Sequence, residues 1–388
     1  MPEPRLLFLL SNDFGELSSA LHFLHNTTLK ATLLLSDRLF VANRGTLGSS
    51  IRRYGTLEDV VESFEIQKPD IVFLFSGYLY TINRIFDLPT VAALLAELER
   101  RRVRVVTSDP FLGLLSTPGD SPFSKQHPAH LALTDHFLQL AALLRGVTHL
   151  YHVPPGFFAG ERKASFFNPQ VIESADAEPY RRARLSNHPG LDFSRRRWLF
   201  MLASEDYGAQ ILRLGKDRFE AFLARRLHDA ARAGRQPVLI GPQPCIESLA
   251  ATGLGVPGSV LLMSFCGHSL FMDLLLEAEY AFYWNLVSNS LLIRMVNRKP
   301  VFFFGHGHLA NAMPRLLEFA MAAYFPGAQL ALLDQADALS AGDLAKRASA
   351  QDHTLARAIE NLYRSPSPAE LVEYMVRESQ KPHKGKAN

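Results

Sequence analysis

The amino-acid sequence predicts an α/β protein with two Rossmann-like, doubly wound parallel-sheet domains facing a central cleft. Short apolar runs alternate with helical patterns over residues 1–155, and the same alternation restarts over residues 197–365. The segment 156–196 between them contains turn-forming pairs such as Asn168-Pro169, so we predict an irregular linker there. Strands that alternate with helices favour parallel pairing, and a cleft between two such domains is the expected ligand site.

The predicted strands of the first half are apolar runs rich in Val, Ile, Leu and Phe. They show little polar alternation, which is typical of strands buried on both faces of a sheet. Helical periodicity separates them. We predict strands at 5–10, 31–35, 71–75, 103–107 and 148–153. We predict helices at 16–24, 57–64, 90–101 and 129–144.

The second half repeats this pattern, and its strands are more aromatic. We predict strands at 198–203, 237–240, 259–263, 278–284 and 301–304. We predict helices from 210 or 216 to 233 and at 269–277, 309–323, 355–363 and 368–378. Ser367 and Pro368 mark the start of the closing helix, because a cap residue followed by proline is typical of a helix N-terminus. Residues 366–388 thus form a C-terminal helix with a basic tail.

Composition excludes several classes of protein. The chain has 388 residues, of which 47% are hydrophobic and 20% charged, so it is long enough and apolar enough for two globular domains. A formal net charge of +3 does not predict nucleic-acid binding. We interpret basic runs such as Arg195-Arg196-Arg197 as solvated faces, with a nucleotide or a peripheral contact with anionic lipid head groups as the alternatives. Cys245 and Cys266 are the only cysteines and lack C-x-x-C spacing, which argues against a disulfide framework or a structural zinc site.

The sequence predicts a soluble, cytoplasmic protein. The apolar run at residues 6–10 is too short for a signal-peptide core and is interrupted by Ser11-Asn12-Asp13. No apolar stretch reaches the roughly 18 residues that a membrane-spanning helix needs.

The most informative segment is the strand, turn, helix and strand between residues 274 and 308. Ser288, Asn289 and Ser290 stand where a strand ends and a helix begins, and Gly305 closes the second apolar run. Backbone N–H groups and the helix dipole favour an anion at such a junction in an open α/β sheet. This segment therefore predicts a site for a phosphate-bearing ligand.

This segment resembles the donor half of GT-B glycosyltransferases, in which a strand, a Ser-rich turn, a helix, Gly-x-Pro and a second strand surround the nucleotide sugar. Arg298-Lys299-Pro300 stands in the place of Gly-x-Pro. Many of those enzymes carry a Glu in the helix that holds a donor hydroxyl group, whereas residues 291–296 here read Leu-Leu-Ile-Arg-Met-Val. The resemblance implies a GT-B-like fold with an acceptor side at residues 1–155 and a donor side at residues 197–365.

The resemblance also implies roles for particular residues. The loop after the first strand faces the acceptor in this family, so Asp13 is the first candidate for general base and Glu16 the second. The alternatives are helix capping for Asp13 and a favourable charge near a helix start for Glu16. Asp109 follows another strand of the same half and is expected in the same crevice. The expected donor-binding residues follow the strands of the second half: Ser204, Gly241, His268, Ser288, Asn289, Ser290 and His306.

For His268 the alternative is a helix cap. His306 and His308 form only half a metal site, so we assign no metal; contact of His306 with phosphate or sugar and an ordinary loop are the two interpretations that stay open.

Missing motifs narrow the function. The chain has no Asp-x-Asp, no Walker A loop, no G-x-G-x-x-G after a strand and no G-x-S-x-G elbow. We therefore expect a metal-independent glycosyltransferase with a nucleotide sugar as co-substrate and no other cofactor. Its acceptor, a glycan, a lipid or a protein, and its oligomeric state stay open. The alternatives are a sugar-nucleotide epimerase or a cytidine-donor transferase of the same fold, and a non-catalytic GT-B-like protein that binds a partner.

Overall fold

Two parallel sheets organise the chain, as the sequence predicts. In the computed structural model, one compact unit comprises Met1–Gln170 and Asn361–Asn388, and the other comprises Val171–Glu360. The domain boundaries expected from the sequence stay predictions. The structure describes residues 4–12, 14–25, 29–43, 51–82, 84–116, 128–154, 157, 164–165, 177–254, 259–307, 309–327, 330–333, 337–363 and 366–380.

The first sheet has seven parallel strands in the order β3-β2-β1-β4-β5-β6-β7. These strands are β1 (Leu6–Leu9), β2 (Ala31–Ser36), β3 (Ile51–Tyr54), β4 (Ile71–Leu74), β5 (Arg104–Asp109), β6 (Thr148–Tyr151) and the two-residue β7 (Ala164–Ser165). Its helices are α1 (Phe14–His25), α2 (Asp37–Asn43), α3 (Leu57–Gln67), α4 (Leu88–Arg100) and α5 (Pro128–Leu144), and a short 3₁₀ helix covers Gly77–Leu79.

The second sheet has five parallel strands in the order β10-β9-β8-β11-β12. They are β8 (Arg197–Met201), β9 (Gln236–Ile240), β10 (Leu261–Met263), β11 (Tyr280–Tyr283) and β12 (Val301–Phe303). The helices that follow in chain order are α6 (Ala177–Ser186), α7 (Ser204–Leu214), α8 (Lys216–Arg232), α9 (Gln243–Ala251), α10 (His268–Glu277), α11 (Asn289–Val296), α12 (Leu309–Ala312), α13 (Pro314–Tyr324), α14 (Ala341–Ser349), α15 (Asp352–Tyr363) and α16 (Pro368–Gln380).

Aromatic side chains fill the core around the second sheet. Phe200 of β8 stacks on Phe282 of β11 with ring centroids 4.6 Å apart, and Trp284 lies 4.9 Å from Phe304. All four are buried. Fully burying each such side chain contributes roughly 1.5–3 kcal/mol, so the central strands form a firm base for the loops at their carboxyl ends.

Several elements differ from the sequence-based expectations. The segment 156–196 is not wholly irregular, because α6 lies within it. This helix attaches to α10 through ion pairs, Arg181 with Glu277 at 3.0 Å and Arg184 with Asp273 at 2.6 Å. A helix that docks through charged groups carries little apolar periodicity, which is the usual signal for a helix.

The helix expected from 210 or 216 to 233 is two helices, α7 and α8, separated at Gly215 with φ +82°. The residues Ser204, Glu205 and Asp206, expected in a loop, form the first turn of α7. Acidic side chains there are favourable because the N-terminal end of a helix dipole is positive. The edge strand β3 was also missed, since its two central residues, Arg52 and Arg53, are exposed; charged residues commonly protect edge strands.

Arg294 ties α11 to its neighbours. Its guanidinium is fully buried and donates to the carbonyl oxygens of Leu275 at 2.7 Å, Ala278 at 2.8 Å and Pro300 at 2.7 Å. Burial lowers the pKa of Arg294 to about 10, so the side chain is cationic at neutral pH. The first two of these carbonyls are at the C-terminal end of α10, where a cation is favourable. Arg294 lies in α11, the helix in which many GT-B glycosyltransferases carry a Glu, and its role here is structural.

Candidate functional site

The order of the second sheet reverses between β8 and β11. The chain goes from β8 to β9 on one side of this point and from β11 to β12 on the other. Ligands of open α/β sheets bind in the crevice that such a reversal leaves at the carboxyl ends of the strands. The residues that follow β8, β11 and β12 are therefore expected at the ligand crevice.

Polar side chains from two of these strand ends meet directly. Asp206, in the first turn of α7, is fully buried, and Asn285, just after β11, is nearly so. Asn285 Nδ2 donates a hydrogen bond to Asp206 Oδ2, and Asn285 Oδ1 accepts one from the Val287 N–H at 3.1 Å. Asn285 thereby fixes the turn that leads from β11 to α11.

Gly307, in the loop after β12, packs against residues that follow β8 and β11. Its φ is +60°, and a Cβ built on it would overlap the Trp284 carbonyl oxygen and Asp206 Oδ1. Only glycine combines this backbone conformation with so close an approach. We call Asp206, Asn285 and Gly307 the junction; it joins the loops after β8, β11 and β12.

The predicted anion site, Ser288 to Ser290, directly follows the turn that Asn285 fixes. Ser288 precedes α11 in an extended conformation, but its side chain does not cap the helix. Ser288 Oγ and Ser290 Oγ are instead hydrogen-bonded to each other at 2.7 Å. The two hydroxyl groups, the positive end of the α11 dipole and Asn289 are thus positioned together at the carboxyl edge of the sheet.

A cavity of about 240 Å³ lies between α7 and the loop after β12. Gln210 and Arg213 line it from α7, and they share one helix face with Asp206 because they follow it by four and seven residues. His306 and Gly307 line it from the loop. Gly307 therefore belongs both to the junction and to the cavity wall.

The other expected donor-binding residues also stand at strand ends. Ser204 is the exposed first residue of α7, directly after β8. Gly241 follows β9, with its N–H donating to the Met263 carbonyl oxygen at 3.0 Å, and His268 begins α10 after β10. β9 and β10 lie on the opposite side of β8 from β11, so Gly241 follows the strand next to β8, and β9 separates the strand before His268 from β8.

The expected catalytic residues belong to the first unit. Asp13 lies outside the described residues. Glu16 is buried in α1, and its Oε2 accepts hydrogen bonds from Ser11 N–H at 2.7 Å and Ser11 Oγ at 2.8 Å, so it fastens the loop after β1. Asp109 ends β5, which is separated from β1 by β4.

Asp109 holds the turn that follows β5. Its Oδ1 accepts from Phe111 N–H at 2.8 Å, and its Oδ2 accepts from Ser116 N–H at 3.1 Å and Ser116 Oγ at 2.9 Å. Burial raises the pKa of Asp109, and these hydrogen bonds oppose that shift. A structural function is thus evident for Glu16 and Asp109, and their catalytic roles stay predictions.

Sequence reasoning did not assign Asp206, Gln210, Arg213, Asn285 or Gly307 to a site. The first three stand at positions i, i+4 and i+7 of one helix face, a signal that becomes readable only if α7 is predicted to begin at Ser204. Asn285 and Gly307 carry no such local signal, because each acts through a contact with a distant part of the chain.

Metal-binding clusters and membrane-spanning helices are both absent from the part of the chain that the structure describes. Within the described ranges, no group of three or more His, Cys, Asp or Glu side chains is arranged to hold a metal ion. No helix in the same ranges is long and apolar enough to cross a membrane.

Comparison with known proteins identifies the fold. No protein-family model matches the chain, and no curated protein matches it by sequence. Among solved structures, UDP-GlcNAc 2-epimerase from Neisseria meningitidis bound to UDP-GlcNAc matches with a TM-score of 0.53 and 12% identity, over 96% of this chain and 100% of that one. UGT71G1 from Medicago truncatula complexed with UDP-glucose matches with a TM-score of 0.53 and 10% identity, over 96% and 98%.

A UDP-glucosyltransferase from Polygonum tinctorium matches with a TM-score of 0.52 and 12% identity, over 98% of this chain and 99% of that one. The similarity thus extends over both units. These proteins have the GT-B fold, and the chain has it too.

Proposed function

We propose that the chain is a glycosyltransferase that moves a sugar from a nucleotide-sugar donor to an acceptor without a metal ion. The second unit holds the donor, with the diphosphate at Ser288, Asn289 and Ser290. The observation that carries the proposal is the junction, where Asp206, Asn285 and Gly307 hold three loops together at the reversal point of the second sheet. This is the place where α/β sheets bind nucleotides.

The comparisons support a uridine nucleotide. The Neisseria and Medicago structures contain UDP-GlcNAc and UDP-glucose respectively. In a metal-independent transferase the leaving diphosphate carries negative charge, and the N–H groups at a helix N-terminus can stabilise it. Ser204, Gly241, His268 and His306 are proposed as further donor contacts.

Catalysis then depends on positioning the acceptor and on a base in the first unit. Asp13 is the proposed base, with Glu16 and Asp109 as alternatives. The hydrogen bonds of Glu16 and Asp109 to the adjacent loops favour Asp13 over both.

A sugar-nucleotide epimerase is the second candidate, because the Neisseria epimerase shares the fold over 96% of this chain. Acid–base chemistry on the sugar requires carboxylates or histidines beside it. Among the described residues that line the cavity, His306 is present but no Asp or Glu. The lining therefore favours transfer of the sugar over epimerisation.

The test is the thermal stability of the purified chain with uridine, guanosine, cytidine and thymidine diphosphate sugars, without added metal. UDP and a UDP-sugar are expected to stabilise it, by roughly 2.7 kcal/mol at about 100 times the dissociation constant. The matched variants are Ser290→Ala, which should lose the shift, and Ser349→Ala on α14, which should keep it.

A thermal shift with cytidine nucleotides alone would show that the donor is a cytidine and not a uridine nucleotide. The absence of a shift with every nucleotide would favour the non-catalytic, partner-binding alternative. Incubation with the stabilising sugar nucleotide then separates the two enzymes, since an epimerase forms a new sugar nucleotide without any acceptor.

A further inference from the structure

Glu277, at the C-terminal end of α10, is a carboxylate that several cations surround. Its side chain is only 8% exposed. Its Oε1 accepts hydrogen bonds from Arg181 Nε at 3.2 Å and Arg181 Nη2 at 3.0 Å, and its Oε2 accepts one from Arg182 Nε at 3.3 Å. Two arginines of α6 thus already occupy both carboxylate oxygens. A further cation at this place needs another anion, because burial of an unpaired charge is unfavourable.

Arg197, the first residue of β8, brings a buried guanidinium group to this place. Its carbonyl oxygen accepts from the Glu279 N–H at 2.9 Å, so it lies beside the loop that connects α10 to β11. It is only 6% exposed and lies over the Phe193 ring at 5.1 Å, and within the described ranges its side chain makes no ion pair or hydrogen bond. Burial lowers the pKa of Arg197, and the negative charges of Glu277 and Asp192 oppose this shift only in part. A ring face attracts the cation but leaves its N–H groups without an acceptor.

Lys299, just before β12, is a second cation of this kind. Arg294 donates hydrogen bonds to the carbonyl oxygens of both Ala278 and Pro300, so the residue before Pro300 lies beside the same loop. Lys299 is half-buried, and its ammonium group has no ion pair or hydrogen bond in the described part of the chain. Burial lowers the pKa of Lys299 and the positive charge of Arg294 lowers it further, while Glu277 opposes the shift. A bound anion would therefore stabilise the ammonium group.

Arg298 adds positive charge at a backbone position that suits glycine. Its φ is +53°, in the left-handed region, where a side chain is unfavourable. Residues held in such a conformation are frequent at ligand sites. Arg298 is also exposed, so its charge attracts anions from solvent toward the neighbouring Lys299.

We propose that Arg182, Arg197 and Lys299 bind a phosphate group at a site that the proposed glycosyl transfer does not use. The Arg182 side chain is 58% exposed and gives the anion access from solvent, while the two more buried cations supply further donors. Phosphate suits such a cluster because its oxygens accept several charge-assisted hydrogen bonds at once.

The site lies at the opposite edge of the second sheet from the proposed donor site. Arg197 and Lys299 stand at the amino ends of β8 and β12, whereas Ser288, Asn289 and Ser290 follow the carboxyl end of β11. All strands of this sheet are parallel, so their amino ends share one edge and their carboxyl ends the other. The inference therefore does not depend on the proposed function.

Titration calorimetry with inorganic pyrophosphate, at an ionic strength held constant with sodium chloride, tests the site without a nucleoside or a sugar. Pyrophosphate can also bind at the start of α11, so the comparison is repeated in proteins that carry Ser290→Ala. Wild type and Ser290→Ala are both expected to bind it. Lys299→Gln should weaken this binding by about tenfold or more in either background, because a charge-assisted hydrogen bond is lost. Arg218→Gln, on the exposed surface of α8, removes one positive charge elsewhere and should keep it.

Thermal stability gives a readout that separates binding from a structural role of Lys299. In chloride, Lys299→Gln removes one of several like charges, so its Tm should equal or exceed that of wild type. In pyrophosphate, its Tm should rise less than that of wild type. A lysine that only stabilises the fold would instead lower the Tm by the same amount in both buffers when it is replaced.

Sedimentation with vesicles of phosphatidylglycerol, and of phosphatidylcholine as control, identifies the source of the phosphate. Binding to phosphatidylglycerol that Lys299→Gln removes would show that a lipid head group supplies it, and binding to pyrophosphate alone would show a soluble anion. The inference is wrong if Lys299→Gln binds both probes as wild type does, or if wild type binds neither. Loss of all pyrophosphate binding in Ser290→Ala would place the anion at α11 and also overturn it.

Discussion

Gly307 is the residue whose identity the junction constrains most. Its positive φ and its contacts with Trp284 and Asp206 leave no room for a side chain. Asp206 and Asn285, in contrast, are held by a hydrogen bond between their own side chains, although they are 79 positions apart in the chain. Three residues from three loops thus depend on one another for their positions.

We expect Gly307→Ala to destabilise the chain by roughly 1–3 kcal/mol, because the new methyl group must displace backbone atoms at a strained φ. It should also abolish the thermal shift with UDP. Gly208→Ala is the control: Gly208 lies in α7, and an alanine Cβ there would point into open space, so alanine should stabilise by roughly 0.5–1 kcal/mol and leave UDP binding unchanged. Wild-type UDP affinity in Gly307→Ala would show that the junction does not shape the donor site.

Arg294 is a second residue with a large expected effect. Arg294→Met removes the donor for the carbonyls of Leu275, Ala278 and Pro300, and each unpaired buried group costs about 1–3 kcal/mol. We expect a loss of roughly 3–5 kcal/mol in urea denaturation, since a cation that serves several buried groups is removed. Arg315→Met, at an exposed helix pair with Glu318, should cost less than about 1 kcal/mol. A loss of unfolding free energy below about 1 kcal/mol for Arg294→Met would mean that water hydrogen-bonds the three carbonyls in place of the guanidinium.

At the scale of elements, Glu279 holds the amino edges of three neighbouring strands together. It accepts hydrogen bonds from Trp198 Nε1 of β8 at 3.0 Å and from Arg235 Nε, just before β9, at 2.8 Å, and it directly precedes β11. Burial acts to raise the pKa of Glu279, but the hydrogen bonds from Arg235, Trp198 and Arg196 outweigh it and lower the pKa below its ordinary value.

A lowered pKa gives the stabilisation a defined pH dependence. The contribution of the Glu279 carboxylate is present above the unfolded-state pKa, about 4.3, and is lost as the pH falls through the lower folded-state value. We therefore expect Glu279→Gln to be less stable than wild type by roughly 1–3 kcal/mol at pH 7, and the difference to shrink below about pH 4. Urea denaturation at both pH values measures it, with the exposed Glu318→Gln as control. A difference independent of pH would assign the loss to packing.

At the scale of the whole molecule, each unit has its own core. Phe8, Phe23, Phe73 and Phe75 pack together in the first unit, with Phe73 and Phe75 stacked at 4.0 Å, and a separate aromatic cluster fills the second. Chains with more than one core commonly unfold in more than one transition.

We expect scanning calorimetry to resolve two transitions and UDP to raise the temperature of only one of them. The reason is that a ligand stabilises the unit that binds it, and every residue proposed to bind the donor lies within Val171–Glu360. The Gly307→Ala variant should lower the temperature of the same transition. An equal shift of both transitions would show that the two units unfold as one cooperative body.

Local patterns were sufficient for most of the fold. The runs at residues 6–10 and 278–284 gave β1 and β11, because a strand buried on both faces must be apolar at nearly every position. The position of Ser288, Asn289 and Ser290 at a strand–helix junction was readable for the same local reason. β3, α6 and the start of α7 were not readable, because an exposed edge, ion pairs and a first turn of acidic residues replace the apolar periodicity.

The chain sequence therefore determined the class of fold and the strand ends that carry polar groups, since both depend on residues close together in the chain. Which strand ends meet is decided by the order β10-β9-β8-β11-β12, and this order brings Asp206 to Asn285 and Gly307. Strand order and side-chain contacts arise from pairing between distant segments, whose energy no local pattern encodes. The cavity beside Gln210 and Arg213 has the same origin, because two distant segments form its walls.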